Sequence, residues 1–240
     1  MEVQVELAFF TLNTNSLQVL LRAGLQSTDD SSWSLPSKAL EEGESLDQAI
    51  AETLGSIFSN GNQFYHVEQL ETYQIAEDRS GQTNVRVAYL ALAQNASQYL
   101  KDDGRSKFIA TASVSSGELT EASREILMHA IERIRARFEY TPIAMVFVDE
   151  PFTMRELRRI YEIVWDIPLH PANFRRHVMS IPGFVKPLTE GRRVEKPSSR
   201  TTTLYLKGEA TTLHPALLRP VGEINRDLTA PSYSSQEPHP

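Results

Sequence analysis

The densest cluster of chemically active side chains in this sequence is the acidic run within LPSKALEEGESL, residues 35–46. Its three carboxylates, Glu41, Glu42 and Glu44, flank a glycine that favours a turn. Carboxylate oxygens bind Mg²⁺, and a bound magnesium ion can hold a diphosphate and activate water. The first half of the stretch that runs to Phe58 is therefore typical of a diphosphate and metal site. The second half lacks the residues that would complete one.

A second group of candidate residues is basic. Residues 151–207 hold 11 Lys and Arg against 5 Asp and Glu, a net charge of +6, whereas the rest of the chain holds 13 against 26, a net charge of −13. A basic segment in an otherwise acidic chain is typical of a module that binds a polyanion such as DNA. The alternative is chance clustering on a solvated face.

The composition excludes several kinds of chemistry. The chain of 240 residues contains no cysteine, which rules out disulfides, thiolate metal sites and a cysteine nucleophile. His170 and His177 do not have the spacing of zinc ligands. The N-terminus does not resemble a signal peptide, and no run of about 18 apolar residues could span a membrane. We therefore expect a cytoplasmic protein that does not enter a membrane.

The elements that position the acidic run are predicted to be strands and two helices. VQVELAFFTL and SLQVLLRAGL alternate as strands do, with the turn-forming TNTNS between them. The helix after the acidic run begins with a capping box of Ser45 and Gln48. YHVEQLETYQIA and NVRVAYLALA predict further strands, and apolar residues three and four apart predict a helix from about Glu121 to Phe138. Strands interleaved with two helices indicate an α/β or α+β domain.

The basic segment has a different organisation. Thr153 and Glu156 form a second capping box, at the start of a helix that Pro168 ends. His170-Pro171 then begins the short helix ANFRRHVM, since proline suits the first helical position. A strand GFVKPL, the basic loop TEGRRVEKPSSR and a strand TTTLYLKG follow. Helix, turn, helix, strand, basic loop and strand is the layout of a winged helix.

These patterns divide the chain into two domains and a tail. Residues 1–145 are predicted to form the strand-rich domain and residues 146–210 the winged helix. Residues 211–240 are rich in proline and lack periodicity, so we expect them to be a disordered tail.

The stretch from Leu35 onward resembles the signature of the Nudix family, G-x5-E-x7-R-E-U-x-E-E-x-G-U, through Leu35-Pro36, EEGESL and the helix that follows. If the signature's first glycine is aligned with Lys38, its first glutamate falls on Glu44 and its arginine on Glu52. Three glutamates that share one helix face and can bind the metal, here called the metal positions, fall on Thr53, Ser56 and Ile57. None of these is a carboxylate. The resemblance therefore implies a Nudix-like domain that is not an enzyme and holds no metal or cofactor.

The basic segment resembles the DNA-binding region of the NrtR family of Nudix-related transcriptional regulators. The matching landmarks are F-T-x-x-E-L from Phe152 to Leu157, Tyr161-Glu162, N-F-R-R from Asn173 to Arg176, and Arg200 before Leu204-Tyr205. The family often has R-P-A in the wing, where this chain has Arg200-Thr201-Thr202-Thr203. The resemblance implies an α+β fold, with an N-terminal Nudix-like α/β/α sandwich followed by a C-terminal winged helix-turn-helix domain.

The function that this resemblance implies is regulation of transcription. Such regulators commonly control genes of NAD metabolism and respond to ADP-ribose or a related nucleotide, although some sense sugar metabolites. We therefore expect a repressor that binds an operator in double-stranded DNA as a homodimer, since two winged helices read half-sites about one helical turn apart. The alternative is a divergent Nudix hydrolase of a nucleoside diphosphate-linked substrate, with Glu41, Glu42 and Glu44 as metal ligands.

The site residues follow from these roles. Amide and guanidinium groups of the short helix can contact base edges, and basic wing residues suit flanking phosphates. The predicted DNA-binding residues are Asn173, Arg175, Arg176, Arg192, Arg193, Lys196 and Arg200. Guanidinium groups match phosphate geometry, although a surface salt bridge is the alternative for each arginine. The predicted effector-binding residues are Arg22, Trp33, Lys38, Glu42, Arg79 and Arg86.

Overall fold

The chain folds into ten strands and four α-helices within the part that the computed structural model describes, residues 2–23, 33–59, 66–75, 84–114, 119–188 and 203–220. The strands are β1 (Glu2–Leu12), β2 (Leu17–Ala23), β3 (Trp33–Ser34), β4 (Ser37–Ala39), β5 (His66–Ile75), β6 (Asn84–Leu92), β7 (Ser106–Ala110), β8 (Phe152–Thr153), β9 (Val185–Pro187) and β10 (Leu204–Lys207). The helices are α1 (Leu46–Ile57), α2 (Glu121–Tyr140), α3 (Met154–Trp165) and α4 (Pro171–Ser180). Within these residues, no helix has the length and apolarity needed to cross a membrane.

A seven-stranded mixed sheet forms the centre of the N-terminal domain. Its strand order is β3-β2-β1-β6-β5, with β4 also paired to β1 and β7 also paired to β2. β1 and β6 run parallel from Glu2↔Asn84 to Phe10↔Leu92, and the other strand pairs are antiparallel. β1 changes partner along its length, because residues 4–6 pair with β4 and residues 10–12 pair with β2. The sheet therefore opens between β4 and β2.

Each face of the sheet is covered by one helix. Side chains alternate along β1, so Val5, Leu7 and Phe9 pack with α1 on one face, while Ala8 and Phe10 pack toward α2 on the other. We call these the α1 face and the α2 face. Both sets are almost fully buried, as expected for a strand at the middle of a three-layered domain. Residues 7–10 of β1 are apolar on both sides of the strand for this reason.

The C-terminal domain packs α3 and α4 against a small sheet of order β8-β10-β9. Tyr161 of α3 lies at its centre and is fully buried. Its ring makes edge-on contacts with Phe138 of α2 at 5.0 Å, Trp165 at 4.8 Å and Phe174 of α4 at 5.3 Å between centroids. The apolar core of the α2 face therefore continues without a break into the winged helix.

The start of the expected tail is packed rather than free, which corrects the prediction for residues 211–220. Leu213 and Leu217 are almost fully buried. Their backbone N–H groups donate to the carbonyl oxygens of Tyr140 and Glu139 at 2.8 and 2.9 Å. Those carbonyls lie at the C-terminus of α2, where a helix lacks its own donors. The segment is therefore a cap for α2, and residues 221–240 of the expected tail lie outside the described residues.

Candidate effector site and nucleic-acid interface

The acidic turn before α1 has the geometry that its sequence predicts. Gly43 has a φ of 81°, a conformation that favours glycine. Ser45 then caps α1: its side chain accepts from the backbone N–H of Gln48, whose side chain accepts from the N–H of Ser45. Glu42 is exposed in this turn. The loop and helix of the Nudix-like stretch are thus formed.

A lysine occupies the centre of the acidic cluster. Lys38 Nζ lies 2.6 Å from both carboxylate oxygens of Glu44, 3.2 Å from Glu52 and 3.9 Å from Glu41. The hydrogen bond to Glu44 raises the pKa of Lys38 above its usual range. The backbone N–H of Glu41 and then Lys38 lower the pKa of Glu44. The cluster therefore carries its own cation, and the described residues contain no group of three acidic or histidine side chains arranged to hold a metal ion.

Comparison with the signature shows that the basic residue stands at a different position. The signature's arginine falls on Glu52 in α1, and its glycine falls on Lys38 in β4. Lys38 pairs with Glu52 and with Glu44, the residue onto which the signature's first glutamate falls. A lysine therefore joins the carboxylates of the turn and of α1.

The metal positions on α1 are used for packing and for local hydrogen bonds. The hydroxyl of Thr53 donates to the carbonyl of Ala49 at 2.7 Å, and Ile57 is fully buried. Ser56 donates to the carbonyl of Thr53 and accepts from Arg22 Nη1, each at 2.7 Å. None of the three supplies the negatively charged oxygen that a glutamate would offer a divalent cation.

The structure separates the predicted effector residues instead of gathering them. Arg22 and Lys38 lie on the α1 face, where they contact Ser56 and Glu52 of α1. Trp33 lies on the opposite face from Arg22, because it pairs with the neighbouring Ala23 and packs against the core of the α2 face. Glu42 lies in the turn, and Arg79 is outside the described residues.

Trp33 has a cationic neighbour that the sequence did not point to. Lys107 Nζ of β7 lies 3.9 Å from the centre of the Trp33 ring, within the range of a cation–π interaction. Trp33 also forms an isolated bridge with Leu119, directly before α2. An aromatic ring and an amine therefore stand together near the N-terminus of α2.

Arg86 lies on the α2 face in a buried polar network. Its Nη1 donates to Glu6 Oε2 at 2.8 Å, and the hydroxyl of Ser123 donates to Glu6 Oε1 at 2.5 Å. Glu6 is only 2% exposed, and this burial raises the pKa of its carboxyl group, while Ser123 and Arg86 oppose the shift. Arg86 Nε is buried without a hydrogen-bond partner. The network connects β1, β6 and the first turn of α2.

Helix α4 presents a polar face to solvent and an apolar face to its domain. Phe174 and Val178 are buried, four residues apart, whereas Asn173, Arg175 and Arg176 are exposed. Pro171 stands at the first helical position. The Arg175 guanidinium carbon lies 5.9 Å from the Tyr205 ring centre, which links α4 to β10. The geometry suits a helix that enters the DNA major groove.

The strands on either side of the predicted wing are paired. β9 and β10 are antiparallel, with Tyr205 opposite Pro187. The predicted wing residues lie outside the described residues: Arg192, Arg193, Lys196 and Arg200.

Comparisons with known proteins agree with this two-domain arrangement. Residues 144–206 match the NrtR DNA-binding winged helix domain. A curated relative from Acinetobacter baylyi, named ADPR responsive transcriptional repressor NtrR, is 25% identical over 179 residues, which are 73% of this chain and 71% of that protein.

Solved structures show the same fold over both domains. Shewanella oneidensis NrtR has a TM-score of 0.72 at 23% identity and covers 90% of this chain and 100% of that one. The same protein complexed with a 27mer DNA has a TM-score of 0.68 at 25% identity, over 85% of this chain and 93% of that one. These matches confirm the predicted α+β fold with a Nudix-like domain and a C-terminal winged helix, and residues 144–206 match the winged helix domain of the NrtR family.

Proposed function

We propose that this protein is a transcriptional repressor of NAD-metabolism genes that senses ADP-ribose or a related nucleotide. The observation that carries the proposal is α4, a helix with Asn173, Arg175 and Arg176 exposed on one side and an apolar face packed on the other. It lies within the segment that matches a DNA-binding winged helix. The A. baylyi relative, by its name, responds to ADPR and represses transcription.

In this proposal the N-terminal domain binds its ligand without hydrolysing it. Support comes from the three metal positions, which carry no carboxylate, and from Lys38, whose ammonium group pairs with Glu44 of the turn and Glu52 of α1. A hydrolase would need a divalent cation to activate water and to offset the charge of the diphosphate. The domain keeps the loop and helix of a Nudix domain and uses them for recognition alone.

The winged helix, which we call the reader, contacts DNA with two sets of residues. Arg175 and Arg176 contact guanine edges or phosphates in the major groove, and Asn173 contacts an adenine edge or a phosphate. Arg192, Arg193, Lys196 and Arg200 of the wing contact flanking phosphates. The protein acts as a homodimer in the cytoplasm, because an operator with two half-sites requires two readers.

The experiment that tests this function is selection of genomic DNA fragments by the pure protein, with and without ADP-ribose. We expect enrichment of one class of site near NAD-metabolism genes and a change in the amount recovered when ADP-ribose is present. A thermal-shift panel of nucleotides and phosphorylated sugars identifies the ligand, since a ligand of the native state raises the melting temperature. If only sugars raise it, the regulator stands and the assignment to NAD metabolism is wrong.

A further inference from the structure

The winged helix is held mainly by α2 and only weakly by the sheet. Between the β1–β2 turn and α3, one side-chain hydrogen bond joins Arg159 to Asn15 at 3.2 Å among the described residues. Cavities of about 310 and 590 Å³ lie on either side of Arg159, between these same elements. Such spaces leave room for α3 to move relative to the sheet.

The contacts with α2 are much more extensive. The last carbonyls of a helix have no hydrogen-bond donor within the helix. The carbonyl of Phe138 is one of them, and the residue four positions ahead is Pro142, which has no N–H to donate. The hydroxyl of Tyr161 supplies this donor at 3.2 Å. Trp165 Nε1 donates to the carbonyl of Arg135 at 3.2 Å, and Arg135 Nε donates to the carbonyl of Val164 at 3.0 Å.

The C-terminal segment completes this end of α2. As described above, the N–H groups of residues 213 and 217 donate to its last two carbonyls. The C-terminus of α2 is thus capped by the winged helix and the segment that follows it. A movement of α2 must therefore move the reader.

The Glu6 network holds the N-terminus of α2. The helix has 20 residues and is about 30 Å long, so this network lies about 30 Å from the C-terminus that the winged helix caps. Ser123, in its first turn, is 1% exposed and donates to Glu6. Glu6 in turn accepts from Arg86, whose side chain is 22% exposed and so reaches the surface. Arg86 is therefore accessible to solvent on one side, and on the other side Glu6 and Ser123 connect it to the first turn of α2.

We propose, on the basis of the function proposed above, that the effector's diphosphate binds Arg86 in place of the Glu6 carboxylate. The loss of the Glu6–Arg86 ion pair then moves α2 together with the winged helix. Guanidinium groups form paired hydrogen bonds with phosphate oxygens, so a diphosphate competes directly with the Glu6 carboxylate. Glu6 is then a buried charge held by Ser123 alone, which is unfavourable. The first turn of α2 shifts until Glu6 is solvated or protonated.

This proposal adds a positioning role for Glu6 and Ser123 and assigns ligand contact to Arg86. It also gives the buried Glu6–Arg86 pair, whose burial is costly, a role beyond packing. Arg22 and Lys38, on the α1 face, have no part in this coupling.

The test measures two quantities on the full chain, the Kd for ADP-ribose without DNA and the factor by which saturating ADP-ribose changes the Kd for the selected duplex. For Ser123→Ala, which leaves the Glu6–Arg86 pair in place, we expect ADP-ribose binding within about three-fold of wild type and a coupling factor reduced toward one. For Glu6→Gln we expect equal or tighter ADP-ribose binding, since Arg86 loses its competitor, and the same loss of coupling. Arg86→Met should weaken ADP-ribose binding at least about ten-fold, as expected for the loss of a phosphate contact.

The matched control is Glu121→Gln, which removes a charge from the same first turn of α2 at a side chain that is 83% exposed. It should keep the wild-type coupling factor. If wild type responds to ADP-ribose and Ser123→Ala and Glu6→Gln respond equally, the coupling role is wrong and the sensing function stands. If Arg86→Met binds ADP-ribose as wild type does, the contact is wrong. If wild-type DNA binding does not change with any nucleotide, the sensing function fails as well.

Discussion

The segment 211–220 offers a direct test of the packing that joins the two domains. Leu217 is 2% exposed, and its N–H caps Glu139 of α2 at 2.9 Å, whereas its neighbour Leu218 is 61% exposed. Replacing a buried leucine with alanine costs about 2–5 kcal/mol, because apolar burial is lost and a cavity remains. The same change at an exposed position stays within about 0.5 kcal/mol. Leu217→Ala and Leu218→Ala are therefore a matched pair.

The loss has an upper limit that the structure explains. If the substitution detaches the whole segment, about ten residues regain conformational entropy, which offsets part of the lost contacts. The loss in the free energy of unfolding is then no larger than the free energy with which the segment docks. We expect Leu217→Ala to lower the melting temperature by about 4–20 °C, as a loss of 2–5 kcal/mol does in a chain of this size. Leu218→Ala should melt close to wild type.

The assay is thermal and urea unfolding of the full chain, followed by tryptophan fluorescence. Trp33 and Trp165 both contribute to the signal, and Trp165 lies beside Tyr161 in the core that the segment covers. Equal stability of wild type, Leu217→Ala and Leu218→Ala would refute the packing, and residues 211–220 would then be the free tail that the sequence predicts.

Further predictions concern the reader's attachment and the Nudix-like turn. Tyr161→Phe removes the donor for the Phe138 carbonyl that Pro142 cannot supply, and urea unfolding should show a loss of about 1–3 kcal/mol, the cost of a buried acceptor without a partner. Pure protein should show no Mg²⁺-dependent hydrolysis of ADP-ribose; sustained turnover that a change at Glu44 abolishes would revive the hydrolase. The pKa of Glu44 is lowered in the native state, so its contribution to stability is present above its ordinary pKa and is lost as the pH falls through the native value. Acid titrations of Glu44→Gln should lack this component, and a titration identical to wild type would contradict it.

Much of the fold could be predicted from local sequence patterns. The capping boxes at Ser45 and Thr153 begin α1 and α3 as expected, and Pro171 begins α4. These signals act within one turn of a helix, so they do not depend on distant contacts. The buried Phe174 and Val178 follow from their four-residue spacing in the same way.

The arrangement of the sensor residues could not be predicted, because it depends on strand register. The pairing of Trp33 with Ala23 and of Ser34 with Arg22 places Trp33 and Arg22 on opposite faces. A shift of one residue would exchange those faces. Glu6 was missed for a related reason: alternation suggests an exposed side chain, but β1 is covered on both faces and Glu6 is buried.

The expected tail shows a different limit of sequence reasoning. Residues 211–220 have no periodicity, because they form neither helix nor strand. Their role is to cap α2 with two backbone N–H groups and to bury Leu213 and Leu217. Backbone capping by an irregular segment depends on where the chain returns, which composition does not reveal.

The central claim, that α4 reads duplex DNA, is tested most directly by titrating binding of wild type and the Arg175→Ala/Arg176→Ala double variant at several salt concentrations. The duplexes are the selected operator and a scrambled sequence, and Arg192→Ala is the matched control in the wing. We predict salt-dependent binding by wild type and a loss of about 1–3 kcal/mol on the operator for each base contact removed. Arg192→Ala should weaken binding to both duplexes alike and lower the salt slope by roughly one. No salt-dependent duplex binding by wild type, or undiminished operator binding by the double variant, would contradict the account.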